Sequence, residues 1–406
     1  MRGLTLSTRR PLLGALLLSL GPLALSAQRA DTVVARSLAP GVAYRRFVDP
    51  RGPWVVNLVR VDLRRADLAL RHARAHDSLR SRERTSDMVR RASAAGTRVL
   101  AAVNADFFDL ASGENENNQV IDGEWWKGVK VADSPYDTYD NAHTQLALDS
   151  LRRPSMDRYL FVAHALARGA DTPILTLNAT PSGRYEGTAL FTPRYGATTP
   201  RDTAPPDTTR PKAEAALVRL AQRGDTTLYL RRGATGTSGT TIPRDGAVLS
   251  AYGPRAAPVR ALAEGDTVRI VVGMAPATAR RRTPRLVIGG WPRILRDGRD
   301  VAGEAPAMEG TISRNAEVRH PRTAVGFSRD SATLFLVTVD GRSSASVGMT
   351  LVELAALMRR VGAWQALNFD GGGSTTMVVE GALVNVPSDS TGERAVGNAL
   401  LVVRVP

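Results

Sequence analysis

Residues 334–342 read Leu-Phe-Leu-Val-Thr-Val-Asp-Gly-Arg, and residues 366–376 read Ala-Leu-Asn-Phe-Asp-Gly-Gly-Gly-Ser-Thr-Thr. Each is an apolar run of strand length that stops on an aspartate followed by glycine, so each predicts a buried strand that delivers a carboxylate at its end. Between them, Thr350-Leu351-Val352-Glu353 has the spacing of a helix capping box, with glutamate at the third helical position. Leu351, Leu354, Ala355 and Met358 then fall on one helical face, and Gly362 supplies the stop. Downstream, Met377–Glu380 and Ala382–Val386 flank Gly381 as a hairpin, and Ala399–Val405 is a closing strand. The pattern is α+β: a β-rich single domain of twisted mixed and antiparallel sheets with a few flanking helices, not a regular βαβ alternation.

Working towards the N-terminus, Val55–Leu63 alternates Val59, Val61 and Leu63 with Arg60 and Asp62, the mark of a half-buried strand. A helix is expected over Ser86–Ala95, capped by Thr85 or Ser86 and stopped by Gly96. The apolar run Val99–Val103 leads into Asn104-Ala105-Asp106-Phe107-Phe108, so polar residues begin where a buried strand ends. The Pro/Thr-rich stretch Ala197–Lys212 and the stretch Gly233–Thr241 are expected as exposed loops.

Over 406 residues there is no cysteine, which excludes disulfide scaffolds, thiolate metal sites and cysteine nucleophiles. The 54 basic residues outnumber 39 acidic ones, for a net charge of +15, and nearly all of the excess is arginine. Those arginines are spread along the chain without a basic helix or an RNP-like aromatic strand, so no nucleic-acid partner is expected; the charge should attract anionic substrates instead. Residues 1–27 have the three-part pattern of a signal peptide: Arg2, Arg9 and Arg10, an apolar run from Pro11 to Leu25, then Ser26 and Ala27. Thr8-Arg9-Arg10 also resembles a twin-arginine export signal. The mature chain, residues 28–406, is then expected in the periplasm or outside the cell, and no later stretch is long and apolar enough for a permanent membrane span.

Chemistry is concentrated at the strand ends. Gly371, Gly372 and Gly373 leave the backbone free to form an anion-binding turn, to which Ser374, Thr375 and Thr376 add hydroxyls, and Asp370 stands beside it as a group able to accept or deliver a proton. A phosphate or a cluster of sugar hydroxyls would fit there. Arg322 before one strand and Arg342 after another are candidates for an anion clamp. The phosphate loop of nucleotide hydrolases is absent, and Thr376 breaks the Gly-x-Ser-x-Gly frame of a serine hydrolase around Ser374. His72 and His76 are the only paired histidines and are expected on a solvated surface. Of Trp125 and Trp126, adjacent on a strand, one belongs to the core and the other is a candidate sugar platform.

Five blocks together resemble the phosphodiester glycosidase family: Asn104–Phe108, Arg322–Gly326, Asp340–Arg342, Gly348–Leu351 with Glu353–Ala355, and Asn368–Thr375. The resemblance runs from about Val99 to Val405, more loosely over residues 140–300 through Asn178, Thr192-Pro193, Pro243, Asp245-Gly246, Gly289-Gly290 and Asp297-Gly298. It implies hydrolysis of the bond between a sugar anomeric carbon and a phosphodiester oxygen. On that resemblance Asp370 is the principal catalytic carboxylate, with Asp340 or Glu309 as the second. Arg322, Arg342 and the Gly371–Gly373 turn with Ser374 and Thr375 bind phosphate; Asn104, Phe108 and Glu114 shape the sugar pocket. Ala105-Asp106 stands where the family more often has glycines, which would narrow or charge that pocket. No cofactor is expected, and the partner is a glycan or small molecule carrying a sugar-1-phosphodiester. Two other readings stay open: a non-catalytic binder of anionic cell-envelope polysaccharide, and a phosphodiesterase in which Asp340 and Asp370 hold a divalent cation.

Overall fold

The computed structural model describes residues 31–130, 143–181, 187–202, 211–275, 284–310 and 317–405. The expected signal peptide and residues 203–210 of the Pro/Thr-rich stretch lie outside them.

The apolar runs form two antiparallel sheets packed face to face. The eight-stranded sheet runs, from edge to edge, Asp31–Ala39, Val42–Asp49, Trp54–Asp62, Thr333–Val339, Arg322–Phe327, Gln365–Phe369, Arg293–Arg296 and Arg299–Asp300. The five-stranded sheet runs Ala382–Leu383, Met377–Val379, Arg98–Asn104, Asn398–Arg404 and Leu68–Arg74. Val59, Val325, Leu336 and Leu367 from the first sheet meet Leu100, Val103, Leu400 and Val402 from the second in one core. The outer face of each sheet is covered as well. Helix Leu351–Val361 packs Leu354, Ala355 and Met358 on Phe335, Val337 and Ala366, and helix Thr85–Ala94 packs Met88 and Val89 on Ala102, Leu401 and Val403. Burial on both faces is why these strands read as continuous apolar runs and not as alternating ones.

A third, thirteen-stranded sheet is built from the middle of the chain and contains one parallel pair, Thr176–Leu177 beside Thr188–Phe191. Leu146, Met156, Leu286 and Ile288 carry its near edge into the core shared by the other two sheets. The β-rich α+β expectation therefore holds, with four α-helices among the described residues.

The capping box at Thr350 and Glu353 is formed, and Gly362 ends the helix at φ 106°. Thr85 and Ser86 do not cap the first helix by their side chains. The Ser86 amide and hydroxyl donate instead to Glu393, at 2.9 and 2.5 Å, so a distant carboxylate satisfies this helix end. Strand Thr226–Gly236 also runs into the expected loop at Gly233, because it pairs with Lys212–Arg223 as far as Gly236.

Candidate active site

Four strand ends meet at one end of the two-sheet sandwich. Val339 pairs with Arg322, and Thr323 pairs with Phe369, so Asp340 and Asp370 leave strands on either side of Arg322–Phe327. Two strand spacings put their backbones about 10 Å apart. From the facing sheet, Arg98–Asn104 ends at the same place. The Asn104 amide nitrogen donates to the Asp370 carbonyl at 2.7 Å, while its oxygen accepts from the Thr323 hydroxyl at 2.8 Å and the Thr376 amide at 3.0 Å. The Asp370 amide in turn donates to the Ala105 carbonyl at 2.7 Å. Asn104 is therefore spent on stitching the sheets together, and its buried amide group positions the turn where a sugar contact was expected.

Asp370 is partly accessible. Burial of its carboxyl pushes its pKa up to about 6, against the opposing effects of Ser374, the Arg394 charge and the Gly371 amide, with the neighbouring Asp106 charge adding to the rise. Asp106 is buried and is likewise raised to about 6 by burial, although it accepts from the Asn117 amide at 3.2 Å and side chain at 2.7 Å. Asp340, also raised to about 6 by burial, accepts from the Val386 amide at 3.2 Å. Three aspartates at one end of the sandwich are thus poised to exchange protons near neutrality. Gly289 lies against Asp106 and Asn117, where any side chain would collide with the carboxylate, and Gly290 lies against the Asn368 carbonyl, so the loosely matching Gly-Gly pair lets a third segment close on the site.

Cations stand on the other side of the Gly-rich turn. Gly372, at φ +58°, has the Arg342 guanidinium over it, 3.0 Å from where a β-carbon would sit. Gly373 faces Arg394 and Asp389, which pair at 2.8 Å, and Arg394 donates to the Ser374 hydroxyl at 3.3 Å. Arg342 also donates to the Ser388 hydroxyl at 3.2 Å.

The other expected residues are used differently. The Gly371 amide donates to the Asp370 carboxylate at 2.9 Å and the Gly372 amide to the Pro321 carbonyl at 2.9 Å, so the turn holds Asp370 in place and does not offer those amides to a ligand. Arg322 is buried, and its guanidinium donates to the carbonyls of Met349 at 2.8 Å and Val318 at 3.0 Å; burial lowers it to about 10. It anchors the chain rather than facing a phosphate. Glu309 accepts from the Thr144 amide and hydroxyl and from the Arg293 amide, at 2.7 to 3.0 Å, which fills its carboxylate with local donors. Phe108 is core, packed with Met88 and Val89. Its neighbour Phe107 is the partly exposed ring, edge-on to Trp291 at 5.5 Å. Glu114 pairs with Lys127 at 2.8 Å and Arg80 at 3.0 Å; burial alone would raise it, but these cations hold it below the usual carboxylate range.

Neither tryptophan offers a free platform: Trp126 is buried with Arg194 stacked on its ring, and Trp125 lies edge-on to Phe161. His72 is not on the surface as expected. It is buried, with Nδ1 3.1 Å from the Val287 carbonyl and Nε2 2.9 Å from the Asn398 amide nitrogen, and burial drops it to about 3; the neutral ring thus donates from Nδ1 and accepts at Nε2. Asn398 passes this on by accepting from the Asp106 amide at 3.0 Å. Among the described residues no three His, Asp or Glu side chains are grouped so as to hold a metal ion. No described helix is long and apolar enough to cross a membrane.

Sequence reasoning missed Asp106 as a titrating group and missed Arg394 with Asp389 altogether. Asp106 stands two residues past the end of strand Arg98–Asn104, close to the strand-end position of Asp340 and Asp370, and that likeness is the available signal. Arg394 lies in the polar loop 387–394, where no periodicity marks it.

A β-sandwich that gathers raised aspartates and paired arginines at its strand ends has the equipment of a hydrolase for anionic substrates. Residues 221–403 match the family model described as phosphodiester glycosidase, and the resemblance read from the sequence blocks is thereby shown, four of the five blocks lying inside that segment. The chain is 44% identical over 92 residues to the SPbeta prophage-derived uncharacterized protein YomE of Bacillus subtilis, a match spanning 23% of this chain and 14% of that protein. It is 34% identical over 110 residues to mouse N-acetylglucosamine-1-phosphodiester alpha-N-acetylglucosaminidase, spanning 25% of this chain and 21% of the enzyme. The chain thus matches only a small part of either relative's length. In fold it resembles a hypothetical protein from Synechocystis, with a TM-score of 0.71 and 21% identity over 94% of this chain and 64% of that one.

Proposed function

We propose that this protein hydrolyses glycosyl phosphodiesters, cleaving between the anomeric carbon and the phosphodiester oxygen to leave a free sugar and a phosphomonoester. One observation carries the reading: Asp370 and Asp106, both raised to about 6 chiefly by burial, share a strand-end site with Arg342 and Arg394. The family match over residues 221–403 supports the same reaction.

A phosphodiester oxygen is a good leaving group, so the site must hold its charge and stabilise a cationic anomeric centre. Arg342 and Arg394 take the phosphate. As the carbon–oxygen bond breaks, its electron pair stays on the phosphate oxygen. A water oxygen bonds to the anomeric carbon, and ionised Asp370 accepts the water's proton. Burial, with a smaller addition from the Asp106 charge, keeps the pKa of Asp370 high enough for that proton transfer near neutrality. Phe107 supplies the partly exposed apolar wall for the sugar. The signal-peptide pattern of residues 1–27 favours an exported enzyme, with a phosphate-linked glycan or cell-envelope component as substrate.

Hydrolysis of a sugar-1-phosphodiester panel in oxygen-18 water tests the reading. The label is expected in the released sugar; label in the phosphate would identify a phosphodiesterase, and no turnover across the panel a binding protein. Asp370→Asn is expected to lower kcat by roughly a hundredfold or more while the fold persists. Full activity in that variant would remove Asp370 from the mechanism.

A further inference from the structure

A second basic feature lies away from the aspartates. A groove of about 640 Å³ opens on the helix-bearing face of the eight-stranded sheet, between helix Leu351–Val361 and residues of strands Asp31–Ala39, Val42–Asp49 and Trp54–Asp62. Phe47, Leu58 and Leu357 belong both to its lining and to the core beneath it. Its walls carry Arg45, Arg51, Arg60 and Arg360 against a single acid, Asp49; Arg36, also in the lining, pairs with Glu380 at 3.4 Å.

That acid is built in. Asp49 is 1% exposed and pairs with Arg51 at 2.5 Å and Arg360 at 3.0 Å. It fixes two guanidiniums at one end of the groove but neutralises only one of them. Arg360 is held below its usual range by burial and by the Arg51 charge, which the Asp49 charge does not overcome. At the other end Arg45 and Arg60 have no carboxylate partner among the described residues; Arg45 contacts the Thr32 hydroxyl and the Phe47 ring, and Arg60 lies over the Phe335 ring at 5.7 Å. Ala43 pairs with Arg60 and Leu58 with Arg45, so these two arginines are diagonal neighbours on one face. Like charges placed this way oppose folding. An apolar floor also strengthens their field, since low-dielectric walls focus it into the groove.

We propose that this groove binds a linear polyanion of repeating phosphate groups. Guanidiniums match phosphate geometry, and four of them distributed over two strands, the turn between them and a helix exceed what one phosphate engages. The groove is a separate site: strand Trp54–Asp62 lies three strands from Gln365–Phe369, a lateral distance of about 14 Å. It does not depend on the reaction assigned to the aspartates.

Fluorescence anisotropy with labelled long-chain inorganic polyphosphate tests it. Wild-type protein is expected to bind, with affinity falling steeply as salt is added. Arg45→Glu with Arg60→Glu is expected to weaken binding by about tenfold or more, each reversal removing a phosphate contact. Arg223→Glu with Arg232→Glu, exposed positions on the thirteen-stranded sheet, changes the net charge equally and should leave affinity within about twofold. Equal losses in the two double variants, or none in either, would overturn the proposal. So would binding of phosphatidylglycerol vesicles, but not polyphosphate, through Arg45 and Arg60. Arg45→Gln with Arg60→Gln gives the same comparison if charge reversal prevents folding. Activity on a small glycosyl phosphodiester should be unchanged in each groove variant that folds.

Discussion

Asp106, Asp340 and Asp370 are each pushed up to about 6 from an ordinary value of 3.8, and burial is the leading cause in all three. Between about pH 4 and 6 the folded protein therefore holds protons that the unfolded chain has released. The resulting stability is fully present below pH 4 and is lost as pH rises through about 6. For Asp106 alone the difference is roughly 3 kcal/mol. Asp106→Asn should flatten the decline of Tm between about pH 4 and pH 7 while lowering activity; thermal melts across that range check it, and an unchanged slope would show that the carboxyl titrates normally in the fold. The Asp106 charge adds to the rise at Asp370, so Asp106→Asn is also expected to shift the acid limb of the activity profile to lower pH. If Asp370 acts as the base, activity rises with pH on the acid limb.

The strand ends and the turns that leave them are separable in their effects. Thr350→Ala breaks the capping box of helix Leu351–Val361, which sits on the sheet face away from the shared core, and should cost about 1 kcal/mol with activity per folded molecule unchanged. Gly289→Ala puts a methyl group on the Asp106 carboxylate and should lower kcat by about a hundredfold through misplacement, with a smaller change in Tm than in rate; denaturation and kinetics on the same preparation separate the two. These elements also divide what was legible beforehand. Leu334–Val339, the capping box and the Gly381 hairpin were readable because periodicity, caps and turns are local signals. Arg322 reads as a phosphate ligand from its place before a strand, yet its guanidinium meets the Met349 and Val318 carbonyls, a contact between segments that no local pattern records. Phe107 and Phe108 are equivalent in the sequence, and only the packing of helix Thr85–Ala94 decides which of them is core.

Across the whole molecule, 54 basic residues against 39 acidic ones set up a field that draws anions from solution. For an anionic substrate, kcat/KM is expected to fall several-fold between about 0.05 and 0.5 M salt while kcat holds, because screening acts on encounter more than on the enclosed reaction; a parallel fall in kcat would place the sensitivity within the site. The Asn104 side chain carries a different consequence. Two of its three hydrogen bonds, to the Asp370 carbonyl and from the Thr323 hydroxyl, join one sheet to the other beside the aspartates, so the two sheets share custody of the proposed catalytic geometry. Slight parting of the sandwich would scatter the acids and silence turnover while each sheet kept its own hydrogen-bond ladder. In a denaturant titration, loss of the proposed activity should therefore run ahead of the far-ultraviolet signal, making turnover a sensor of the fold's own assembly.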